Sequence, residues 1–460
     1  MASSTALADR AGDAAYEELL EKNRRYLWNP FTQMKEFLAD EPVIVESADG
    51  VRLRDVRGRE YYDGNSSLWL NVHGHRREEL NEAIAAQLEH VAHSTLLGMS
   101  SVPAIELAER LVELTPPSLG KVFYSDSGAT AVEIGLKMAF AYWRRIGRPE
   151  KCRFVAMRNG YHGDTLGAVS VGGIDLFHAE FGPLLFDTER VSYPYPYRFA
   201  GSEAECAEAC LAELRGVLER SADELACLVV EPLVQAAGGM IVMPRGFLSA
   251  IEALCREHDV LLLADEVATG FGRTGSLFAC DHERVEPDLM TIGKGLTGGY
   301  LPVAATLASD RIYDVFWGDL AERKTFFHGH SYTGNQLGCA AALASLDLFE
   351  RERLVERASE AGDLLGRLLE PVAALEHVGE VRRIGVMTGI ELVRDRETKQ
   401  PFAWELAMGA RVCRRARGLG LITRPLGDVV TLLPPLASTD ADLEAMTSIL
   451  CEALAEATKV

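Results

Sequence analysis

No two of the nine cysteines form a C-x-x-C pair; their number is odd and their spacing irregular. That pattern excludes a disulfide framework and a cysteine-built metal site, and it fits reduced thiols in a cytosol. Cys206 and Cys210 stand four apart, which reads as one face of a helix rather than as metal ligands. Clustered positive charge is also missing. With 47 Lys and Arg against 68 Asp and Glu, the net charge is −21, which excludes a nucleic-acid footprint. No apolar run approaches the roughly 20 residues that cross a bilayer. The N-terminal "MASSTALADRAGDAAYEELLEKNRRYLW" carries acids where a secretory signal needs an apolar core. A cytoplasmic protein is expected, with no membrane or nucleic-acid partner. The "NSS" at Asn65 matches a glycosylation pattern that has no meaning without a secretory signal.

Internal repeats and low-complexity tracts are absent too, so the fold must be read from periodicity. The 460 residues are 48% hydrophobic and 25% charged, the composition of an ordinary globular chain with two or three domains. Between about residues 100 and 340, short apolar runs alternate with helical patterns: "KVFYSDSG", "CRFVAMRNG", "ELACLVVEPLV", "VLLLADEV" and "PDLMTIGKG". Strands of this kind predict βαβ units and an α/β fold with a largely parallel sheet. Residues 71–344 are read as the large domain, and 1–70 with 345–460 as a smaller α/β domain built from both chain ends. The acidic stretch 14–26 reads as a solvated amphipathic helix at a dimer edge.

In open α/β sheets ligands sit beyond the carboxyl ends of strands. Four polar clusters fall at such ends: Ser127-Gly128-Ala129, Tyr161-His162-Gly163-Asp164, Asp265-Glu266 and Lys294. Asp265 ends the run "LLLAD", where an isolated charge is costly; it is a salt-bridged structural carboxylate or the partner of a buried cation or protonated ring nitrogen. "SDSGATAVE" opens a long helix, so the N–H groups of Gly128 and Ala129 are free to hold a phosphate; an ordinary capped turn is the plainer alternative. Tyr161 is a core tyrosine or an aromatic placed to stack on a flat ligand, and Asp164 orders its loop or buttresses the Asp265 region. "GFGRTG" matches G-x-G-x-x-G, but no long helix follows it, so a dinucleotide site is rejected.

Lys294 stands in "LMTIGKGLTGGYLP", walled by glycines and apolar residues. A lysine in such a place has its pKa lowered and becomes a nucleophile suited to Schiff-base formation. With a carboxylate, a stacking ring and a phosphate cup beside it, the set describes a pyridoxal 5'-phosphate site. No metal is expected.

The pair "LLLADEVATGFGRTG" and "PDLMTIGKGLTGGYLP" resembles the signature of the class III, or omega-type, aminotransferases of pyridoxal-phosphate fold type I. Likeness extends from "LWNPFTQM" to "TRPLGDVVTLLPPLAST". The resemblance implies a large domain with a mostly parallel, seven-stranded type of sheet plus a smaller domain, and a ping-pong transaminase. It implies that Lys294 binds the cofactor aldehyde and moves the substrate proton, and that Asp265 keeps the ring nitrogen protonated. Gly128 and Ala129 would hold the phosphate, and Tyr161 would stack on the ring. His330 and Ser331 of "FHGHSYTGN" match positions that reach the phosphate of a neighbouring subunit, with Gly329 lining the substrate site; a homodimer with shared sites is therefore expected. Arg424 of "ITRPLGD" matches the arginine that takes a substrate carboxylate, and Arg273 sits at a further substrate-side arginine.

Within the family, the chain is most similar to the branch that converts 8-amino-7-oxononanoate to 7,8-diaminononanoate in biotin biosynthesis. That branch commonly takes its amino group from S-adenosylmethionine, with a tyrosine and a Trp-Trp pair at the donor site. Here those places hold Phe31, and Leu68 with Trp69. The departures, and phrases such as "AHSTLLGM" and "HGHSYTGNQLGC", are more similar to enzymes that use L-lysine, so lysine is the expected donor. Other omega-aminotransferases, acting on 4-aminobutyrate, ornithine or a diamine, are the alternative.

Overall fold

The apolar runs become strands of one seven-stranded sheet in the computed structural model, which describes residues 12–459. Its spatial order is Leu119–Ser125, Ala304–Ser309, Leu289–Ile292, Leu261–Asp265, Leu225–Val230, Arg153–Met157 and Thr188–Val191. Only Ala304–Ser309 runs against its neighbours; the other pairings are parallel. The mostly parallel sheet expected from the sequence is thus present. Every residue of Leu225–Val230 and Leu261–Asp265 is buried, because helices cover both faces of a parallel sheet. The two-residue period divides the sheet cleanly. Leu228 and Leu262 pack with Leu248 and Ile251 of the helix Phe247–Glu257 on one face. Val229 and Leu263 pack with Val132, Leu136 and Trp143 of the helix Gly128–Arg145 on the other.

Because these strands are parallel, their carboxyl ends share one edge of the sheet. Asp265 is the last residue of its strand, Lys294 lies two residues beyond Ile292, and Ser125 leads into the Gly128–Arg145 helix. Gly135 in that helix lets it approach the sheet, since a Cβ there would lie 2.4 Å from Leu263 Cδ1.

A two-stranded ribbon pairs Val234–Gln235 with Ile241–Val242, and two four-stranded sheets are built from the chain ends. In one, Val45–Asp49, Arg52–Asp55 and Glu60–Asp63 form an antiparallel meander to which Leu421–Ile422 adds in parallel, so the two chain ends meet. The other is ordered Val378–Ile384, Met387–Leu392, Val429–Leu432, Pro425–Leu426. The helix Asp13–Tyr26 buries Tyr16 and Leu20 against Val56 of its own chain. The Tyr16 hydroxyl donates to the Pro42 carbonyl (3.0 Å), and the Arg57 guanidinium lies 3.6 Å above the ring. Cys206 and Cys210 share the buried side of the helix Glu203–Ser221. No helix among the described residues is long and apolar enough to cross a membrane.

Candidate active site

A cavity of about 440 Å³ opens at the carboxyl edge of the seven-stranded sheet. Of the residues singled out in the sequence, Trp69, Gly128, Ala129, Tyr161, His162, Asp164, Asp265 and Lys294 line it, together with Glu231. Strand ends supply most of this set: four stretches far apart in the chain converge because their strands are neighbours.

Asp265 is almost wholly buried and accepts three hydrogen bonds. The Thr291 hydroxyl donates to Oδ1 (3.0 Å), the Val267 N–H donates to Oδ1 (3.2 Å), and His162 Nδ1 donates to Oδ2 (2.7 Å). Burial pulls the His162 pKa down, but the hydrogen bond and charge of Asp265 override it, and the net direction is up. The outer nitrogen, His162 Nε2, is buried without a partner among the described residues. Glu231 follows directly on the strand Leu225–Val230, while Asp265 is the last residue of its own. Its two oxygens accept the N–H groups of Tyr161 (2.9 Å) and Ala236 (3.0 Å). Burial pushes its carboxyl up to about 7, partly offset by His162 and by those N–H groups.

Lys294 follows Gly293 into a short 3-10 turn with φ 43°. Its Nζ lies 5.7 Å from the centre of the Trp69 ring and makes no hydrogen bond to the described residues. Burial lowers its pKa, against the opposing charges of Asp265 and Glu231, so the neutral, nucleophilic amine is favoured relative to a lysine in water. At the helix Gly128–Arg145, Ser127 and Thr130 form a capping box. The N–H groups of Gly128 and Ala129, in the first turn, have no partner among the described residues, which makes this end a ready anion site. No side chain fits on Gly128, since a Cβ there would lie 2.6 Å from Val267 Cγ1.

Tyr161 presents its ring to the cavity, and its hydroxyl donates to Asp164 Oδ2 (2.6 Å). Burial and that bond raise its pKa. Phe31 stands edge-on to Tyr161 at 6.4 Å and to Phe177 at 5.3 Å, and the Arg424 guanidinium lies 5.9 Å from the Phe31 ring. Arg424 has no carboxylate partner among the described residues, and burial lowers its pKa. Phe31 and Leu68 are substantially exposed. Trp69 is buried, and its indole N–H donates to Asn65 Oδ1 (3.0 Å).

One expected substrate-side residue lies elsewhere. Arg273 is not on the cavity wall: it is 1% exposed, with Nη1 donating to the Pro434 carbonyl (2.9 Å) and Nη2 to the Asn71 carbonyl (3.0 Å). Its guanidinium ties segments of the interior together, which the turn-like "GFGRTG" gives no sign of. Gly329, His330 and Ser331 line a second, larger cavity of about 1050 Å³. His330 Nε2 lies 3.7 Å from Oδ1 of Asp126, the residue before Ser127. Glu231 received no functional reading from the sequence, although "LVVEP" places a carboxylate at a strand end just as "LLLADE" does.

The arrangement offers a desolvated amine, a carboxylate held for charge and a pair of free N–H groups at a helix end, with the Arg424 guanidinium beside Phe31 and without a carboxylate partner among the described residues. That set suits a flat aldehyde with a basic ring nitrogen and an anionic tail, and a second ligand bearing a carboxylate. Comparison with known proteins gives the same direction. A family model described as Aminotransferase class-III matches residues 37–454. A protein of Anoxybacillus flavithermus named adenosylmethionine-8-amino-7-oxononanoate aminotransferase is 54% identical over 449 residues, 97% of this chain and 99% of its own length. A Geobacter sulfurreducens protein of the same name is 54% identical over 93% of this chain and 95% of its own. The crystal structure of the so-named protein from Methanocaldococcus jannaschii superposes with a TM-score of 0.92 at 44% identity, covering 96% of this chain and 99% of that one.

Proposed function

The chain belongs to the class-III aminotransferase family, and from that premise we propose that it transfers an amino group from L-lysine to 8-amino-7-oxononanoate, forming 7,8-diaminononanoate. It is a pyridoxal-phosphate-dependent transaminase, and the named relatives support the biotin-pathway reaction. The observation that carries the reading is the convergence of Lys294, Asp265 and the free N–H groups of Gly128 and Ala129 on one cavity.

The residues present fit the cofactor: an unbonded amine for its aldehyde, a three-donor carboxylate for its ring nitrogen, an aromatic wall, and a helix end with two free N–H groups for its phosphate. When bound, pyridoxal 5'-phosphate supplies an aldehyde to receive the amino group and a protonated ring to withdraw electrons. Lys294 Nζ would hold that aldehyde, and its amine is the group placed to carry a proton at the substrate carbon. Asp265 keeps its charge toward the ring nitrogen, and its three donors keep it oriented. Tyr161 supports the ring face, and Glu231 fixes Tyr161 through its main chain. Arg424 takes the carboxylate that L-lysine and the keto acid both carry. Arg273 is left out of substrate contact.

We assign His330, Ser331 and Gly329 to the site of a partner copy, which makes a homodimer the working unit, and we place the enzyme in the cytoplasm. The division into residues 71–344 and a smaller unit from 1–70 and 345–460 belongs to the same reading. Phe31, beside Tyr161, and Leu68, next to Trp69 in the chain, support lysine, since neither offers the hydroxyl or second indole of the S-adenosylmethionine branch. The relatives' printed names favour adenosylmethionine as the second reading. The test is a half-reaction. L-Lysine or S-adenosylmethionine is added separately to the holoenzyme, the visible absorption of the cofactor is followed, and the keto acid is then added. Bleaching by lysine and recovery with formation of 7,8-diaminononanoate support the proposal. Bleaching by S-adenosylmethionine alone transfers it to the second reading, and no response to either overturns both.

A further inference from the structure

The backbone beside the cavity is strained at three non-glycine residues in a run of four: Ser66, Ser67 and Trp69 have φ of 47°, 60° and 64°. Side chains other than glycine rarely adopt this region, and it persists only where surroundings over-determine it. The determinants here are buried polar groups. Both oxygens of Asp63 accept the Ser67 N–H (2.8 Å each), and the Ser66 hydroxyl donates to the Leu433 carbonyl (2.6 Å). Asn65 is the third and joins two walls of the site. Its Oδ1 accepts the Trp69 indole N–H at 3.0 Å and lies 3.3 Å from the Thr431 hydroxyl. The indole N–H can only donate, which fixes which end of the Asn65 amide faces it. The same Thr431 hydroxyl lies 2.9 Å from the Arg424 carbonyl, its one proton shared between two acceptors, and the Thr431 N–H donates to that carbonyl at 3.1 Å.

A path of hydrogen bonds therefore runs from Trp69, whose ring faces Lys294 Nζ, through Asn65 and Thr431, to the backbone of Arg424. Asn65 and Thr431 are both buried and neither lines the cavity. We propose that Asn65, acting through Thr431, is a positioning residue that sets the separation of Lys294 from Arg424, and with it the substrate length the site accepts. This rests on the functional reading above, in which the reacting carbon meets Lys294 and the carboxylate meets Arg424. The strained turn makes the separation fixed rather than adaptable, so a chain one methylene too short or too long forfeits the ion pair or the reacting geometry.

The test uses holoenzyme of the parent, Asn65→Ala and Thr431→Val. Thr431→Val keeps the backbone bond to Arg424 and removes only the hydroxyl, so it stands as the informative variant should Asn65→Ala fold poorly. KM and kcat are measured for 8-amino-7-oxononanoate and for its homologues one methylene shorter and longer, and cofactor affinity is measured by tryptophan fluorescence. The expected result is a KM for the keto acid raised roughly threefold to tenfold, the loss of about one hydrogen bond, with kcat and cofactor affinity changed less than about twofold. The preference for the native length over its homologues shrinks in parallel. Unchanged length preference, or kcat and cofactor affinity falling together with KM, overturns the ruler. A parent enzyme that leaves the keto acid unconverted overturns the functional reading instead. The length preference is then read from cofactor bleaching by straight-chain omega-amino carboxylates, where an unchanged preference in Thr431→Val overturns the ruler.

Discussion

His162 Nδ1 lies 2.7 Å from Asp265 Oδ2, and both residues are at least nine-tenths buried. The pair ties the loop after Arg153–Met157 to the end of Leu261–Asp265. Removing one of the three donors to Asp265 leaves the Thr291 and Val267 bonds, so the carboxylate keeps its place but loses its charge-assisted partner. In His162→Gln, kcat is expected to fall by roughly tenfold to a hundredfold, the worth of such a bond, with KM for both substrates nearly constant. Steady-state kinetics with cofactor content measured in the same samples checks this. A fall confined to KM counts against the role.

Lys294→Ala is expected to abolish transamination while leaving the cofactor-free protein as stable as the parent. The reason is energetic: Lys294 makes no hydrogen bond to the described residues, and burial already lowers its pKa, so its amine contributes little to the fold. Thermal unfolding of the cofactor-free proteins should give melting temperatures within a few degrees. Lys294→Arg, which keeps charge and bulk, should not restore activity, because a guanidinium does not form the Schiff base. A large loss of stability in Lys294→Ala would mean the lysine is structural.

Arg424→Gln removes an unpaired, partly desolvated guanidinium. A charge-assisted bond to a carboxylate is worth about 1.5–3 kcal/mol, so KM for carboxylate substrates should rise roughly tenfold to a hundredfold. Initial-rate measurements with varied keto acid decide it; an unchanged KM moves carboxylate recognition to another residue.

Asp265 and Lys294 are legible because each interrupts a run of buried apolar residues at a strand end, where only chemistry justifies a charge. Glu231 obeys the same grammar but passes unnoticed, since proline follows it and its partners, the Tyr161 and Ala236 N–H groups, are set by tertiary structure. Arg273 misleads for a different reason. Its substrate-side place came from resemblance alone, while its guanidinium folds inward onto carbonyls contributed by residues 71 and 434. The strain at Ser66, Ser67 and Trp69 has no sequence signature either, because none of the three is glycine. The sheet itself was easy: continuous apolar runs separated by amphipathic helices admit few arrangements other than parallel strands with both faces covered.

Glu266 carries a prediction about stability and pH. Its oxygens accept the Cys280 N–H (2.8 Å) and the Thr269 hydroxyl, with no cation paired to it among the described residues. Burial pushes its carboxyl up to about 7, against the pull of those hydrogen bonds. A folded-state pKa above the unfolded value means the folded protein binds the extra proton. Glu266 is therefore least costly at acid pH, and its contribution turns unfavourable as pH rises from about 4.5 to about 7. Above that window the penalty is constant, and it amounts to roughly 3 kcal/mol at most. In Glu266→Gln the amide oxygen still accepts from Cys280 and the amide nitrogen turns to the Thr269 oxygen, so the site stays bonded without charge. Denaturant unfolding of parent and variant at intervals from pH 5 to pH 8 isolates the effect, since all other titrating groups are common to both. The variant should gain on the parent steadily up to about pH 7 and hold that gain beyond it. A difference that stays flat across the range would mean Glu266 is already ionised at pH 5 and that burial has not shifted it.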